Sequence, residues 1–141
     1  MNARTLVLIG SVLVFLASLT QDAYYLAGDN PDAWATSWGV LLVGWMGIFY
    51  GVFAWLANPL LLLSWILCLR GELRAALIIS AAAVLFALSF LLHSTIVASE
   101  APTYRAVTGY GVGYWLWLAS MLIMAAGTLR LYLASRPGPK L

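Results

Sequence analysis

Few side chains in this 141-residue sequence have the types and spacing that chemistry needs. His93 is the only histidine. A neutral imidazole could hold haem or a metal, but no second histidine completes a bis-His pair. His93 therefore reads as a hydrogen-bonded ring ending an apolar run near an interface. Asp22 and Glu100 are the carboxylates that a bound cation or a relayed proton would use, and Arg105 lies in the same part of the charge pattern. A solvated pair, with Arg105 in a structural role, is the plainer expectation. Cys68 is the only cysteine, so an intramolecular disulfide and a Cys-x-x-Cys site are both excluded. It reads as a small buried apolar residue, with palmitoylation as the alternative. The glycines of "TGYGVGYW" (108–115) lack the context of a phosphate loop. A tight re-entry turn with its tyrosines at headgroup depth is expected there. No catalytic, metal or cofactor-binding residue, and no cofactor, is expected. A membrane-embedded enzyme or haem protein is the minor alternative.

The elements that would position these groups follow from composition. Hydrophobic residues make up 64% and charged residues 9%, whereas a soluble domain is about a quarter charged. Too little polar surface exists to cover a soluble globule, which implies an integral membrane protein in contact with a lipid bilayer. The formal net charge of +2 argues orientation, not nucleic-acid binding. A crossing helix needs about 20 apolar residues. Four spans, at about 5–24, 53–70, 75–93 and 112–131, then form one membrane domain over 1–141. The first could instead be a cleaved signal peptide. Retention is expected because "ASLTQDA" offers no small-x-small cleavage site and an even helix count fits the charges better. Arg4, Arg70, Arg74, Arg130, Arg136 and Lys140 fall at the N-terminus, in the loop 70–74 and in the C-terminal tail. Basic residues mark the cytoplasmic side. The fold class is thus an all-α four-helix membrane bundle, N-in and C-in, with loops 21–37 and 94–112 outside. Arg105 alone departs from the pattern.

One stretch does not fit a plain four-span chain. "FAWLANPLLLLSWILCLR" (53–70) carries Asn58-Pro59 inside a run with no charge from Ala33 to Leu69. That run is too long for one crossing and too short for three. The expected solution is an interfacial or re-entrant helical segment at 38–51, a hinge at Gly51, and a second span kinked by Pro59. The Asn58 amide would bond a freed carbonyl or a neighbouring helix. Gly44, Gly47 and Gly51 recur at spacings of three and four, as a groove for close helix approach. The groove is expected to pack on the chain's own bundle, with a homo-oligomer seam as the alternative. Trp115 and Trp117, with Trp34, Trp38, Trp45 and Trp55, fall toward the outer half, as an interfacial anchor or an aromatic cap. No charge lies deep in a span, which disfavours an ion pump.

The segments "GWMGIFYGVFAWLANPLLLLSWILCLRG" (44–71) and "TGYGVGYWLWLAS" (108–120) resemble a family of short, uncharacterised bacterial four-helix inner-membrane proteins. The resemblance spans about 20–130 and rests on an Ala-Trp-x-Ala-Asn-Pro step and a Gly-Tyr-Gly-x-Gly-Tyr turn. It implies a multi-pass bacterial inner (plasma) membrane location and brings no activity with it. Small multidrug transporters are not matched, since Asp22 lies past the first span, and a single cysteine does not suit vitamin-K-reductase-like redox bundles. The expected function is non-enzymatic: binding of a lipid, a membrane-protein partner or a second copy, as a complex subunit or immunity-type protein. The alternative is a small oligomeric transporter or channel for a neutral or hydrophobic substrate.

Overall fold

The computed structural model describes residues 2–28, 35–98, 101 and 103–136. Helix α1 is Ala3–Ser18, capped by the Asn2 side chain, which accepts from the Thr5 amide at 2.8 Å. Strand β1 is Tyr24–Leu26. Helix α2 is Ser37–Val43, capped by the Thr36 hydroxyl, and it tightens into a 3₁₀ run over Gly44–Tyr50. A second 3₁₀ turn, Ala54–Leu56, leads into α3, Ala57–Arg70. Helix α4, Leu73–Ser89, ends in a 3₁₀ turn at Phe90–Leu92. Strands β2, Thr95–Val97, and β3, Tyr104–Tyr110, precede α5, Val112–Ser135.

The long helices run up and down. Going down α1 means going up α5: Val7 faces Gly127, Gly10 faces Ile123, and Ser11 bonds the Ser120 carbonyl. Helix α5 packs along α1 and α4, and α4 packs along α3. Trp65 of α3 closes the ring, donating to Ser11 Oγ at 2.9 Å and meeting Phe15 edge-on. The turn between α3 and α4 lies beside the start of α1, where a Cβ on Gly71 would stand 3.5 Å from the Arg4 guanidinium. Arg4, Arg70, Arg74, Arg130 and Arg136 therefore share one end of the bundle.

The helices bury mainly small and hydroxylated residues, with Leu61, Met121 and Met124 as the large side chains fully inside, and expose many large apolar ones. Ala57, Ala76, Ala83, Ala87, Cys68, Ser11, Ser64, Ser80, Ser120 and Thr128 are fully buried. Leu13, Leu69, Ile78 and Leu85 are each at least 58% exposed. The buried hydroxyls bond nearby carbonyls: Ser64 to Leu61, Ser120 to Trp117, and Thr128 to Met124. Small interior residues let backbones approach closely, as at Gly127, where any Cβ would run into Val7. Two helices, Leu73–Leu92 with its 3₁₀ end and Val112–Ser135, are long and apolar enough to cross a membrane.

The end opposite the arginines departs from the all-α expectation. The loops carry a three-stranded antiparallel sheet in the order β1-β3-β2, pairing Tyr24 with Tyr110 and Ile96 with Arg105. Aromatic and β-branched residues favour the pleat. Helix α1 therefore stops at Ser18, and Tyr24 and Tyr25 do not extend it, because their backbone is used in the sheet. "TGYGVGYW" is not a re-entry turn: β3 runs to Tyr110 and α5 starts two residues later. A Cβ on Gly111 would collide with the Asp22 carbonyl, and one on Gly113 with Ser37 Oγ, so these glycines let the chain before β1 and the start of α2 close onto the head of α5.

The break at 53–70 also differs from expectation. Pro59 does not kink a spanning helix; it sits in the first turn of α3, where a missing N–H costs little. The 38–51 segment is helical as expected, as α2 followed directly by a 3₁₀ run. Its glycines form no single helix face, although Gly44 and Gly47 do pack on the chain itself. A Cβ on Gly44 would lie 2.8 Å from Trp55, and one on Gly47 3.3 Å from Val52, so the segment folds back on the residues that follow it. Gly51 turns the chain at φ 81°, in the left-handed region.

Candidate functional site: an apolar cavity at the sheet end

Helices α1 and α3 are short. At 1.5 Å per residue they reach about 24 and 21 Å, against about 36 Å for α5. The depth left above them is occupied by α2, the 3₁₀ run and the sheet. Between these parts lies a cavity of about 190 Å³. Its floor is the end of α1 (Phe15, Ser18, Leu19) and the start of α3 (Trp55, Asn58). Phe90, Gly113, Tyr114 and Trp117 form the α4–α5 side, and Val40, Gly44 and Gly47 the α2 side. Tyr24 and Ile96 close it from the sheet. Among the described residues no charged side chain lines it. Of these residues, Met46 and Tyr50 are the exposed ones of the lining, which puts the mouth along the 3₁₀ run.

The polar groups at the wall are few and mostly committed. Asn58 Oδ1 accepts from Trp117 Nε1 at 2.8 Å, and Asn58 Nδ2 donates to the Trp55 carbonyl at 3.2 Å. That carbonyl is the one an N–H at position 59 would engage in a regular helix, so Asn58 supplies the bond that Pro59 lacks. Trp55 Nε1 donates to the Leu41 carbonyl at 3.0 Å and pins α2 to α3. The Tyr114 hydroxyl donates to the Ala87 carbonyl at 3.1 Å. Ser18 Oγ donates to the Phe15 carbonyl at 2.6 Å. Ser37 Oγ is different: it is buried and has no hydrogen-bond partner among the described residues. Beside the cavity an aromatic cluster stiffens the wall, with Phe90, Tyr110 and Tyr114 within 6 Å of one another, ring centre to ring centre.

Of the residues singled out in the sequence, Gly44, Gly47, Asn58 and Trp117 come together at this cavity. The others among the described residues do not line it. Gly51 turns the chain outside it, and Pro59 is exposed on α3. Trp115 is half-exposed and stacks edge-on against Tyr114 at 5.1 Å. The Asp22 backbone bridges to Thr36 and accepts from the Gly113 amide at 2.9 Å. Arg105 donates from Nε to the Ala27 carbonyl at 2.7 Å, tying β3 to the chain after β1. His93 ends the 3₁₀ turn after α4, its ring 6.5 Å from that of Phe90. Glu100 lies outside the described residues, so the Asp22–Glu100 pairing does too. Sequence reasoning missed Phe15, Ser37 and Tyr114. The Thr36 cap was a readable sign that a helix begins at Ser37; nothing in the sequence marks Ser37 as lining a cavity. No protein-family model, curated protein or solved structure matches the chain.

Proposed function

We propose that the chain is a multi-pass bacterial inner-membrane protein of one domain, with four crossings and both termini cytoplasmic, that binds a lipophilic molecule in the cavity at its outer end and has no catalytic role. The observation that carries this reading is the apolar cavity, built where α1 and α3 stop short. A largely apolar concavity with a few polar groups is the usual form of a small-molecule site. The leucine-rich exposed faces of the helices support a lipid surround for α1 and α3 as well as the two longer helices, since a solvated surface would carry charge. The shared arginine end supports the orientation.

The test is photolabelling of the purified protein in nanodiscs with a diazirine-bearing alkyl probe. Saturable labelling should map to 37–58 and 113–117. Val40→Trp, which fills the cavity, should abolish it while the protein stays folded. Undiminished labelling in Val40→Trp places the probe on the outer lipid-facing surface and ends the reading. The uncharged lining also fits a transporter of a neutral substrate; flux of the probe across protein-containing liposomes separates carriage from binding.

A further inference from the structure

A second opening lies at the arginine end, between α1 and α5. The two helices touch where Val7 meets Gly127, with no room for a side chain on the glycine. From that contact toward the end of the bundle they part, leaving a cleft of about 340 Å³. Its walls are apolar, with Ala3 and Leu6 on α1 and Leu131 and Ala134 on α5. Among the described residues the one charged side chain that lines it is Arg130. Gly127 to Ala134 covers about 10 Å of helix at 1.5 Å per residue. The cleft is therefore slightly deeper than the polar layer, about 5–8 Å, on one side of a bilayer.

The charge around the cleft is one-sided. Arg4, Arg70, Arg74 and Arg136 share this end with Arg130, against one carboxylate, Glu72, among the described residues. Arg130 is exposed and makes no hydrogen bond or ion pair among the described residues. Arg136, by contrast, is engaged outside the cleft, donating to the Tyr132 hydroxyl at 2.9 Å and lying over that ring. An arginine fork matches the oxygens of a phosphate. A zwitterionic head would bring a cation of its own into this field, whereas a head of net negative charge would not. Basic pockets between helices are seats for anionic headgroups on that ground. The apolar part of such a molecule has a path as well. Leu6, Ile9, Leu13 and Leu16 are exposed at spacings of three and four, so an apolar stripe on α1 starts in the cleft and runs toward the middle of the bundle.

We propose that the cleft between α1 and α5 is a site for an anionic phospholipid, with its phosphate on the Arg130 guanidinium, its glycerol and first methylenes between the helices, and an acyl chain along the stripe from Leu6 to Leu16. The site requires the membrane location proposed above and is independent of the sheet-end cavity.

The experiment is photolabelling in nanodiscs with a phosphatidylglycerol that carries a diazirine near the glycerol end of one acyl chain. Label should map to 3–7 and 127–134, away from the sheet-end cavity. At equal probe fraction, discs of phosphatidylglycerol should show about fivefold less labelling than discs of phosphatidylcholine, the scale of one arginine at a membrane surface. Soluble glycerol phosphate should not compete, which separates a lipid from a free phosphate. Arg130→Gln should give equal labelling in the two discs at an unchanged melting temperature. Arg136→Gln removes the same charge from the same end, outside the cleft, and should keep the difference. Equal labelling of the native chain in the two discs overturns the proposal. So does a difference that survives Arg130→Gln, full competition by glycerol phosphate, or an equal loss in Arg136→Gln, which would mean diffuse surface attraction. Absence of label at 3–7 and 127–134 overturns it too, and two chains per disc would then identify a second copy as the cover of the cleft. Each of these failures leaves labelling of 37–58 by the alkyl probe, and with it the cavity reading, untouched. A chain that does not enter nanodiscs removes the membrane location and this site together.

Discussion

At the scale of single residues, Asn58 has the clearest structural role. It joins α3 to α5 through Trp117 and completes the first turn of α3 at the Trp55 carbonyl. Asn58→Ala leaves the Trp117 indole N–H unpaired and removes one of the bonds to the Trp55 carbonyl, which a backbone N–H also engages, and should lower stability by about 1–2 kcal/mol. A double-mutant cycle with Trp117→Phe should show a coupling of about 0.6–1.7 kcal/mol, the range found between membrane helices. Thermal unfolding in detergent measures both. Additive single and double mutants would mean that the bond contributes nothing. The sequence pointed to Asn58 because a polar amide beside a proline in an apolar run has few uses there. It did not reveal which helix would receive it, because that depends on α5 crossing α3 at Trp117. Ser37 was illegible for a related reason: burial comes from the closure of distant segments, and a serine next to a helix cap looks the same whether wet or dry.

Among the elements, the helix pair α1–α5 meets at Gly127 with no room for a side chain. Gly127→Leu would drive a side chain into Val7 and should cost about 1–3 kcal/mol. Gly10→Ala meets only Ile123, at an ordinary 3.7 Å, and should be tolerated. Melting temperatures of the two variants side by side separate packing from a general intolerance of glycine replacement. Pro59→Ala should leave cysteine accessibility along 38–51 unchanged, because proline in a first helical turn sets no bend. A shifted labelling pattern would restore the kink. The long apolar runs were legible because length and hydropathy alone specify them. The sheet was not: a three-residue strand such as Tyr24–Leu26 has no period of its own and exists through pairing with Tyr110 and its neighbours. The glycine spacing at 44, 47 and 51 misled in the same way. Three-and-four spacing implies a helix face only if the backbone is α-helical, and here it tightens to 3₁₀ and folds onto Val52 and Trp55.

Across the whole molecule, two asymmetries dominate. Many leucines and isoleucines of the helices face out while small and hydroxylated residues fill their contacts, and five arginines gather at one end while the sheet, with Arg105, and the cavity occupy the other. Together they support a bundle crossing the bilayer four times with the cavity outside. Helices α1 and α3 alone are shorter than the hydrocarbon layer of about 30 Å, so in the proposed four-span arrangement the segments capping them would have to make up the difference. The central claim is this alternation, and one measurement tests it directly. Single cysteines are placed at Ala3, Tyr25, Glu72, Thr108 and Ser135 in a Cys68→Ser background, all exposed positions at helix ends or between helices. Cells are then treated with a membrane-impermeant maleimide, intact or permeabilised. Tyr25→Cys and Thr108→Cys should label in intact cells, and Ala3→Cys, Glu72→Cys and Ser135→Cys only after permeabilisation. Labelling of Tyr25→Cys and Glu72→Cys from the same side would show that α3 does not cross, and would contradict the four-span account.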